Sequence, residues 1–429
     1  MSLQGCLASR KDCSGEGQPL TMMEIMDICK STQQAAPSKS LFVVLPDGKD
    51  YTGGIYLYNG GEFTLITDKE KSRYSMELYP ELNRNGTIEL KELIDVGLIL
   101  QYLSLKVESM GLGVSQRARV PKKINQIVNK ETNRNYKFLY SVAVRKRDHI
   151  TVVEDSLEPL QKKLMEGTIL LDTPECYKNR AIYENRYQGI SLDDAIFNQT
   201  DKKSPDMTSL YELSQLLWAC QGETDHTTHG NRDPLDKNGF GRVHASGCAG
   251  YAVYPIVFVD KLANLEKGAY WYNPIGFSAL NRWIYVNNQF NYDHFIQKYN
   301  ADNSIMEIQK QFSIKFPNYI ILLCIDRKKP CSGFGHSKIG KLVMSTEYWG
   351  EVEAGMALAG LQLQANALGI PWQKKIIISP EDPKYRRLFN LESVEQSIDK
   401  MVSNLENLPK NEKLSLKGHL IPAILFYVQ

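Results

Sequence analysis

Residues 95–113 read DVGLILQYLSLKVESMGLG, and residues 353–371 read EAGMALAGLQLQANALGIP. The two stretches align without a gap. Gly97, Leu100, Leu103, Leu105 and Gly111 face Gly355, Leu358, Leu361, Leu363 and Gly369, while Leu98, Met110 and Leu112 face Met356, Leu368 and Ile370. The apolar spacing makes each a helix, and the glycine near each end suits the position that closes one. Two copies of one helix so far apart raise the expectation of an internal repeat.

Two further matches occur in the same order. GGIYLYNGGEFTLI from Gly53 matches KGAYWYNPIGFSAL from Lys267, each with alternating aromatics, an Asn-Gly or Asn-Pro turn and then F-x-x-L. That pattern predicts a hairpin in both places. Each copy also opens on a helix, LTMMEIMDICKS from Leu20 and SLYELSQLLWACQG from Ser209, and closes on an apolar strand, KFLYSVAVR from Lys137 and HLIPAILFYV from His419. These matches divide the chain into a short unit over 1–148, a charged linker over 149–188 and a longer unit with insertions over 189–429. The linker contains LEPLQKKLMEG, which reads as a short amphipathic helix. Residues 287–313 read as an inserted helical pair carried by Phe290, Phe295, Ile296, Ile305 and Ile308.

Bulk properties agree with this division. The chain has 429 residues, more than one hydrophobic core ordinarily serves. Hydrophobic residues make up 42% and charged residues 23%, as in an ordinary globular protein. A net charge of +2 without a basic block disfavours a nucleic-acid surface. No apolar run approaches the roughly 20 residues that span a bilayer, and the start, MSLQGCLASRKDCSGEGQ, lacks an apolar signal core. The eight cysteines form no C-x-x-C pair, which predicts reduced, buried thiols and a cytoplasmic location.

In the second unit, LSQLLWACQG from Leu213, RVHASGCAGYAVYPIVFV from Arg242, the G-x-Y-x-Y hairpin and the Glu-Ala-Gly helix follow one another. This series resembles flavin-dependent nitroreductase-superfamily dehydrogenases of the SagB/ThcOx type, which are linked to peptide azoline oxidation. The first unit resembles the same family in reduced form: SRKDCS from Ser9 is similar to its Arg-Arg-Ser-x-Arg signature, and APSKS from Ala36 to its Pro-Ser loop. The resemblance implies an α+β fold made of two tandem nitroreductase-like units, joined as a pseudo-dimer within one chain.

The resemblance also implies FMN, bound where two units meet. A flavin phosphate is a dianion that needs cations and N–H donors. The first unit offers Arg10, Lys11 and Ser14 near its start, Gly111 and Gly113 after the duplicated helix, and Arg145 near its end. Ser246 and Gly247 of the second unit complete the expected site. A mirror site would use Lys202, Gly369 and Ser38, but FNQTDKKS from Phe197 carries no Arg-Arg pair. Relatives that oxidise azolines are thought to move a proton with a Lys-Tyr pair just before the Glu-Ala-Gly helix. Here Lys341 takes the lysine position, with Lys338 second, and Leu342 stands where tyrosine is expected; Tyr348 is the substitute.

A metal site from Asp225, His226, His229 and His244 is disfavoured, because H-x-x-H in a loop lacks the helical spacing of a zinc protease. The expected activity is therefore FMN-dependent dehydrogenation of a peptide or amino-acid-derived substrate, alongside other biosynthetic enzymes. The expected assembly is a monomeric pseudo-dimer or a homodimer. The alternatives are an NAD(P)H-dependent nitro or quinone reductase and a flavin-free binding module.

Overall fold

A computed structural model of the chain describes residues 3, 6, 17–82, 88–117, 120–146, 168–171, 191–197, 209–227, 240–244, 252–273, 294–300, 305–315, 317–326, 348–403 and 417–428. The first unit runs α1 (Met22–Ala35), β1 (Leu41–Leu45), β2 (Gly54–Asn59), β3 (Glu62–Thr67), β4 (Met76–Pro80), α2 (Leu90–Ser109), β5 (Gly113–Arg117), α3 (Lys122–Thr132) and β6 (Ser141–Arg145). Then come β7 (Thr168–Leu171) and α4 (Leu192–Phe197). The second unit runs α5 (Leu210–Gln221), β8 (Glu223–Thr227), β9 (Phe240–Arg242), β10 (Val253–Val259), β11 (Gly268–Asn273), β12 (His294–Tyr299), α6 (Ile305–Phe312), β13 (Tyr319–Asp326), α7 (Trp349–Leu368), β14 (Trp372–Ile376), α8 (Pro383–Leu388), α9 (Leu391–Ser403) and β15 (Leu420–Val428).

The two sheets repeat one topology. The first has the order β3-β2-β1-β4-β6-β5, and the second, read the same way, has β12-β11-β10-β13-β15-β14 with β7 added beyond β12. Each strand thus has a counterpart at the same place in the other sheet, which makes the fold a tandem duplication. The opening helices even share a cap. Thr21 and Glu24 form a reciprocal capping box on α1, as Ser209 and Glu212 do on α5. The duplicated helices end alike as well. Gly111 and Gly369 take φ of +69° and +68°, and Leu112 and Ile370 donate back to the carbonyls of Val107 and Ala365. That left-handed closure favours glycine at both positions.

The units meet through α2 and α7. Gly97 and Gly355 lie against each other at equivalent positions, with their Cα atoms so close that a methyl on either would strike the other helix's backbone. Side chains then cross over. Ile94, Leu98, Tyr102 and Leu105 of α2 are buried in the second unit's core, while Trp349, Val352 and Met356 of α7 are buried in the first unit's core. Helices apolar on all sides must be enclosed on all sides, and here each is covered by both sheets' cores. Lys106 on α2 adds a polar tie, 2.8 Å from both Asp27 of α1 and Asp193 of α4.

Three sequence expectations change. The hairpin holds in the first unit, where β2 and β3 join across Gly60 and Gly61, both at positive φ as a tight two-residue turn requires. In the second unit β11 pairs instead with β12, twenty residues further on, and residues 277–280 lie outside the described residues. Among the described residues of 287–313, the expected helical pair is one strand, β12, followed by one helix, α6, on which Ile305 and Ile308 are buried; residues 287–293, with Phe290, lie outside the described residues. The segment read as a linker contributes β7, which pairs with β12. Its expected amphipathic helix lies outside the described residues. Among those residues, no helix is long and apolar enough to cross a membrane. Cys6, Cys29, Cys220 and Cys324 are buried and unbridged, and burial pushes the Cys6 thiol up to about 12, where it is unreactive.

Candidate functional site

The first unit gathers cationic and glycine residues at one end of its sheet. Arg145 ends β6, and Gly113 sits opposite it in the β5–β6 register. Ser75 precedes β4 and accepts from the Lys146 backbone N–H at 3.0 Å. Gly17 packs on this corner so tightly that a Cβ there would lie 2.2 Å from Ser75 Oγ and 3.2 Å from Arg145 Cα. Arg10, Lys11 and Ser14 lie outside the described residues, but Gly17 follows Ser14 by three positions. The corner therefore receives the chain directly after the candidate signature.

Arginine charge is concentrated here. Arg145 is buried, with its guanidinium 4.6 Å from the Tyr74 ring. Arg73 lies 5.0 Å from the same ring and donates from Nε to the Tyr74 hydroxyl at 2.8 Å. Two guanidinium groups and Lys146 around one edge make a field that attracts an anion. Nothing in the local sequence marks Arg73, which no motif includes; only the strand register brings it beside Arg145. Gly111, also expected here, is exposed and has open space around it, so helix closure accounts for it.

Among the described residues, the second unit differs at this corner. Val114 pairs with Val144 as Trp372 pairs with Val428, and Met76 pairs with Val144 as Tyr319 pairs with Val428. Extending that register puts Pro371 at the position of Gly113, and Asn318 and Pro317 at those of Ser75 and Tyr74, while residues 316 and 429 lie outside the described residues. Of the mirror-site candidates, Gly369 is buried as the cap of α7, Ser38 is exposed after α1, and Lys202 lies outside the described residues.

On the second-unit side, α2 presents an acid, Asp95. Burial lifts the Asp95 carboxyl above its usual range, opposed by Lys39, Lys374 and Lys91. A folded-state pKa above the unfolded value means that this group's contribution to stability is complete below about pH 3.9 and declines as pH rises through the raised value. Asp95→Asn should remove that decline. Urea midpoints of both proteins at pH 4 and pH 7 measure it, and equal pH slopes would contradict the assignment.

From the second unit, α7 reaches the first. Tyr348, at its N-cap, packs against the first unit's core, and Trp349 lies 5.1 Å from Tyr140, just before β6. Tyr140 and Arg145 are separated by roughly 16 Å along the strand. Lys341 lies outside the described residues, in the stretch leading to Tyr348. Ser246 and Gly247 also lie outside them, just past Val243 and His244. Val243 is held against the first unit, where its carbonyl accepts from Gln101 Nε2 of α2 at 2.8 Å. Of the residues weighed as metal ligands, His244 is buried and His229 lies outside the described residues.

No family model and no curated protein matches the chain. Solved structures do match. A putative nitroreductase from Anabaena variabilis is similar over 100% of this chain and 91% of its own, with a TM-score of 0.54 and 10% identity. A putative nitroreductase from Ralstonia eutropha aligns with 65% of this chain and 95% of its own, at a TM-score of 0.33 and 13% identity. The E. coli microcin synthetase McbBCD complex with bound truncated pro-MccB17 aligns over 80% of this chain and 98% of that chain, at a TM-score of 0.26 and 12% identity. The first of these spans both units, so the likeness is one of the whole architecture. The chain has the nitroreductase fold, built twice within one polypeptide and paired through its duplicated helices.

Proposed function

We propose that the chain is a cytoplasmic, FMN-dependent oxidoreductase with one cleft, which dehydrogenates a peptide or amino-acid-derived substrate. The observation that carries this reading is the asymmetry between the units. Gly17, Arg73, Gly113 and Arg145 converge at one corner of the first sheet, and the described residues at the matching positions of the second, Pro317, Asn318 and Pro371, carry no charge. The units so defined run over 1–148 and 189–429, the second completed by Thr168–Leu171.

The residues present suit a flavin nucleotide. Gly17 lets the chain that follows Ser14 run against Ser75 and Arg145, where a Cβ would clash. Arg10, Lys11, Ser14 and Arg145 would hold the phosphate, with Gly113 letting the backbone approach. Ser246 and Gly247, carried across from the second unit, would line the ring. When bound, FMN supplies a two-electron acceptor for hydride. The substrate then loses a hydride and a proton, and Lys341 in its neutral form is the proposed proton acceptor. Tyr348, packed against the first unit at the far end of β6 from Arg145, would orient the lysine or the substrate.

Titration with FMN tests this. Arg10→Ala and Arg145→Ala should each weaken binding by about 1.5–3 kcal/mol, the worth of a charge-assisted hydrogen bond. Lys202→Ala should change it little. A purified protein that is colourless and takes up no FMN would favour the flavin-free binding module. Loss of flavin in Lys202→Ala alone would move the site to the other half. Bound flavin that NADPH reduces readily, with nitro compounds as acceptors, would favour the reductase.

A further inference from the structure

We infer that Gln101 and Glu353, one from each duplicated helix, are positioning residues that fix both ends of the segment bearing Ser246; this rests on the one-cleft reading above. At the entrance, Val243 is fully buried and both its backbone groups are engaged. Its N–H donates to the Gly222 carbonyl at the end of α5 at 3.1 Å, and its carbonyl accepts from Gln101 Nε2 at 2.8 Å. At the exit, Ala252 is held in the same way. Its N–H donates to Glu353 Oε2 at 2.7 Å, and its carbonyl accepts from the Asp326 N–H at 2.8 Å. Gln101, Val243, Ala252 and Glu353 are all 0% exposed.

The second tie reaches further than the first. Asp326 is the last residue of β13, and the chain between it and Tyr348 carries Lys341. Ala252 therefore joins the exit of the Ser246 stretch to the entrance of the Lys341 stretch, and Glu353 holds that junction from α7. Both candidate stretches leave from fixed points on the α2–α7 pair.

Duplication provides an internal control. The alignment that pairs Gly97 with Gly355 pairs Gln101 with Ala359 and Asp95 with Glu353. Ala359 is as buried as Gln101, so helix packing at that position does not require a polar side chain. Burying an amide costs free energy unless it is used, and Gln101 is used on Val243. Spacing is asymmetric too. Ser246 lies 13 residues before Val259, whereas Ser38 lies 7 before Leu45, and Val259 and Leu45 both end the strand that starts each unit's sheet. The longer stretch is held at its ends by side chains of α2 and α7, whereas the Asp326–Ala252 bond has its counterpart in the first unit, where the Ser40 carbonyl accepts from the Glu81 N–H at 3.2 Å.

The test uses the full chain, with and without FMN. In flavin-free protein, Gln101→Leu and Glu353→Leu should speed amide hydrogen exchange in peptides spanning 243–252, while Ala359→Leu should not. With FMN, Gln101→Leu should weaken binding by about tenfold and alter the visible circular dichroism of the bound flavin. Glu353→Gln should keep wild-type exchange, FMN affinity and dichroism, because an amide oxygen still accepts from Ala252. Unchanged exchange in both leucine variants overturns the clamp, whether or not flavin binds. Exchange that rises while wild-type protein takes up no FMN keeps the clamp and overturns the function proposed above. Raised exchange with unaltered FMN affinity and dichroism means the two residues hold the backbone without positioning anything for the cofactor, and overturns their assigned role.

Discussion

Replacing Gly97 with valine is expected to cost about 3 kcal/mol of folding stability, the upper part of the range for overpacking a rigid core. A Cβ at Gly97 would lie 2.0 Å from the Val352 carbonyl oxygen, 2.8 Å from Gly355 Cα and 2.9 Å from the Met356 nitrogen. All of these are backbone atoms of α7, so no side chain can swing aside. Gly355→Val should cost a similar amount, since its Cβ would meet the Ile94 carbonyl oxygen at 2.2 Å and Gly97 Cα at 2.9 Å. Once one valine has forced the helices apart, the second meets a gap already opened. The double variant should therefore lose clearly less than the sum of the two. Because the cores are interlocked through these helices, both units should unfold together. Urea denaturation followed by tryptophan fluorescence and by circular dichroism measures the loss and the coupling. A loss below about 1 kcal/mol in either single variant would be incompatible with the close helix contact.

Glu395→Ala is expected to cost about 3–5 kcal/mol, the range for removing one partner of a buried ion pair. Glu395 on α9 is almost wholly buried, and both its oxygens are used twice. Oε1 accepts from Arg386 Nη1 at 3.0 Å and from the Leu420 N–H at 3.0 Å; Oε2 accepts from Arg386 Nη2 at 2.8 Å and from the Gly418 N–H at 2.9 Å. Arg386 Nη1 also donates to the Leu420 carbonyl at 2.6 Å. The carboxylate thus ties α8 and α9 to the start of β15, the strand that carries the second sheet past β13. Alanine would leave a guanidinium and two backbone N–H groups short of a partner. Glu395→Gln, which keeps the shape but not the charge, should fall between alanine and wild type. FMN affinity should survive in protein that remains folded, because this network has no part in the first unit's corner. Thermal and urea unfolding of the three proteins, with FMN titration at a temperature where all are folded, checks both statements.

Much of the fold could be read along the chain because its signals are local. Helix periodicity, the closing glycines and the Asn-Gly-Gly hairpin each depend on neighbours within a few residues. The capping boxes at Thr21-Glu24 and Ser209-Glu212 are equally local, and they add a fourth match to the repeat. The second hairpin misled because residues 267–280 copy the first one's sequence, while the strand that pairs with β11 comes from residues 294–299. A strand's partner is settled by sheet register, and register is a property of two segments rather than one. β7 escaped notice for the same reason: four residues in a charged stretch gain a strand only by lying beside β12.

The sequence by itself determined that one helix occurs twice, that each copy ends on a left-handed glycine and that two α+β units follow in tandem. Those features are written in short-range spacing and intrinsic backbone preference. It also placed Gly113 and Arg145 among the candidates, although neither stands in a motif with the other. Only the tertiary structure decided that Gly113 and Arg145 are neighbours, that Arg73 joins them, and that Pro371 takes the place of Gly113 in the second sheet. It alone set Gln101 of one unit on the carbonyl of Val243 in the other. These contacts join residues separated by up to 142 positions, and no periodicity reports a contact at that distance. They follow from how two sheets take register and how two helices meet at Gly97 and Gly355, where only the absence of a side chain lets the backbones touch.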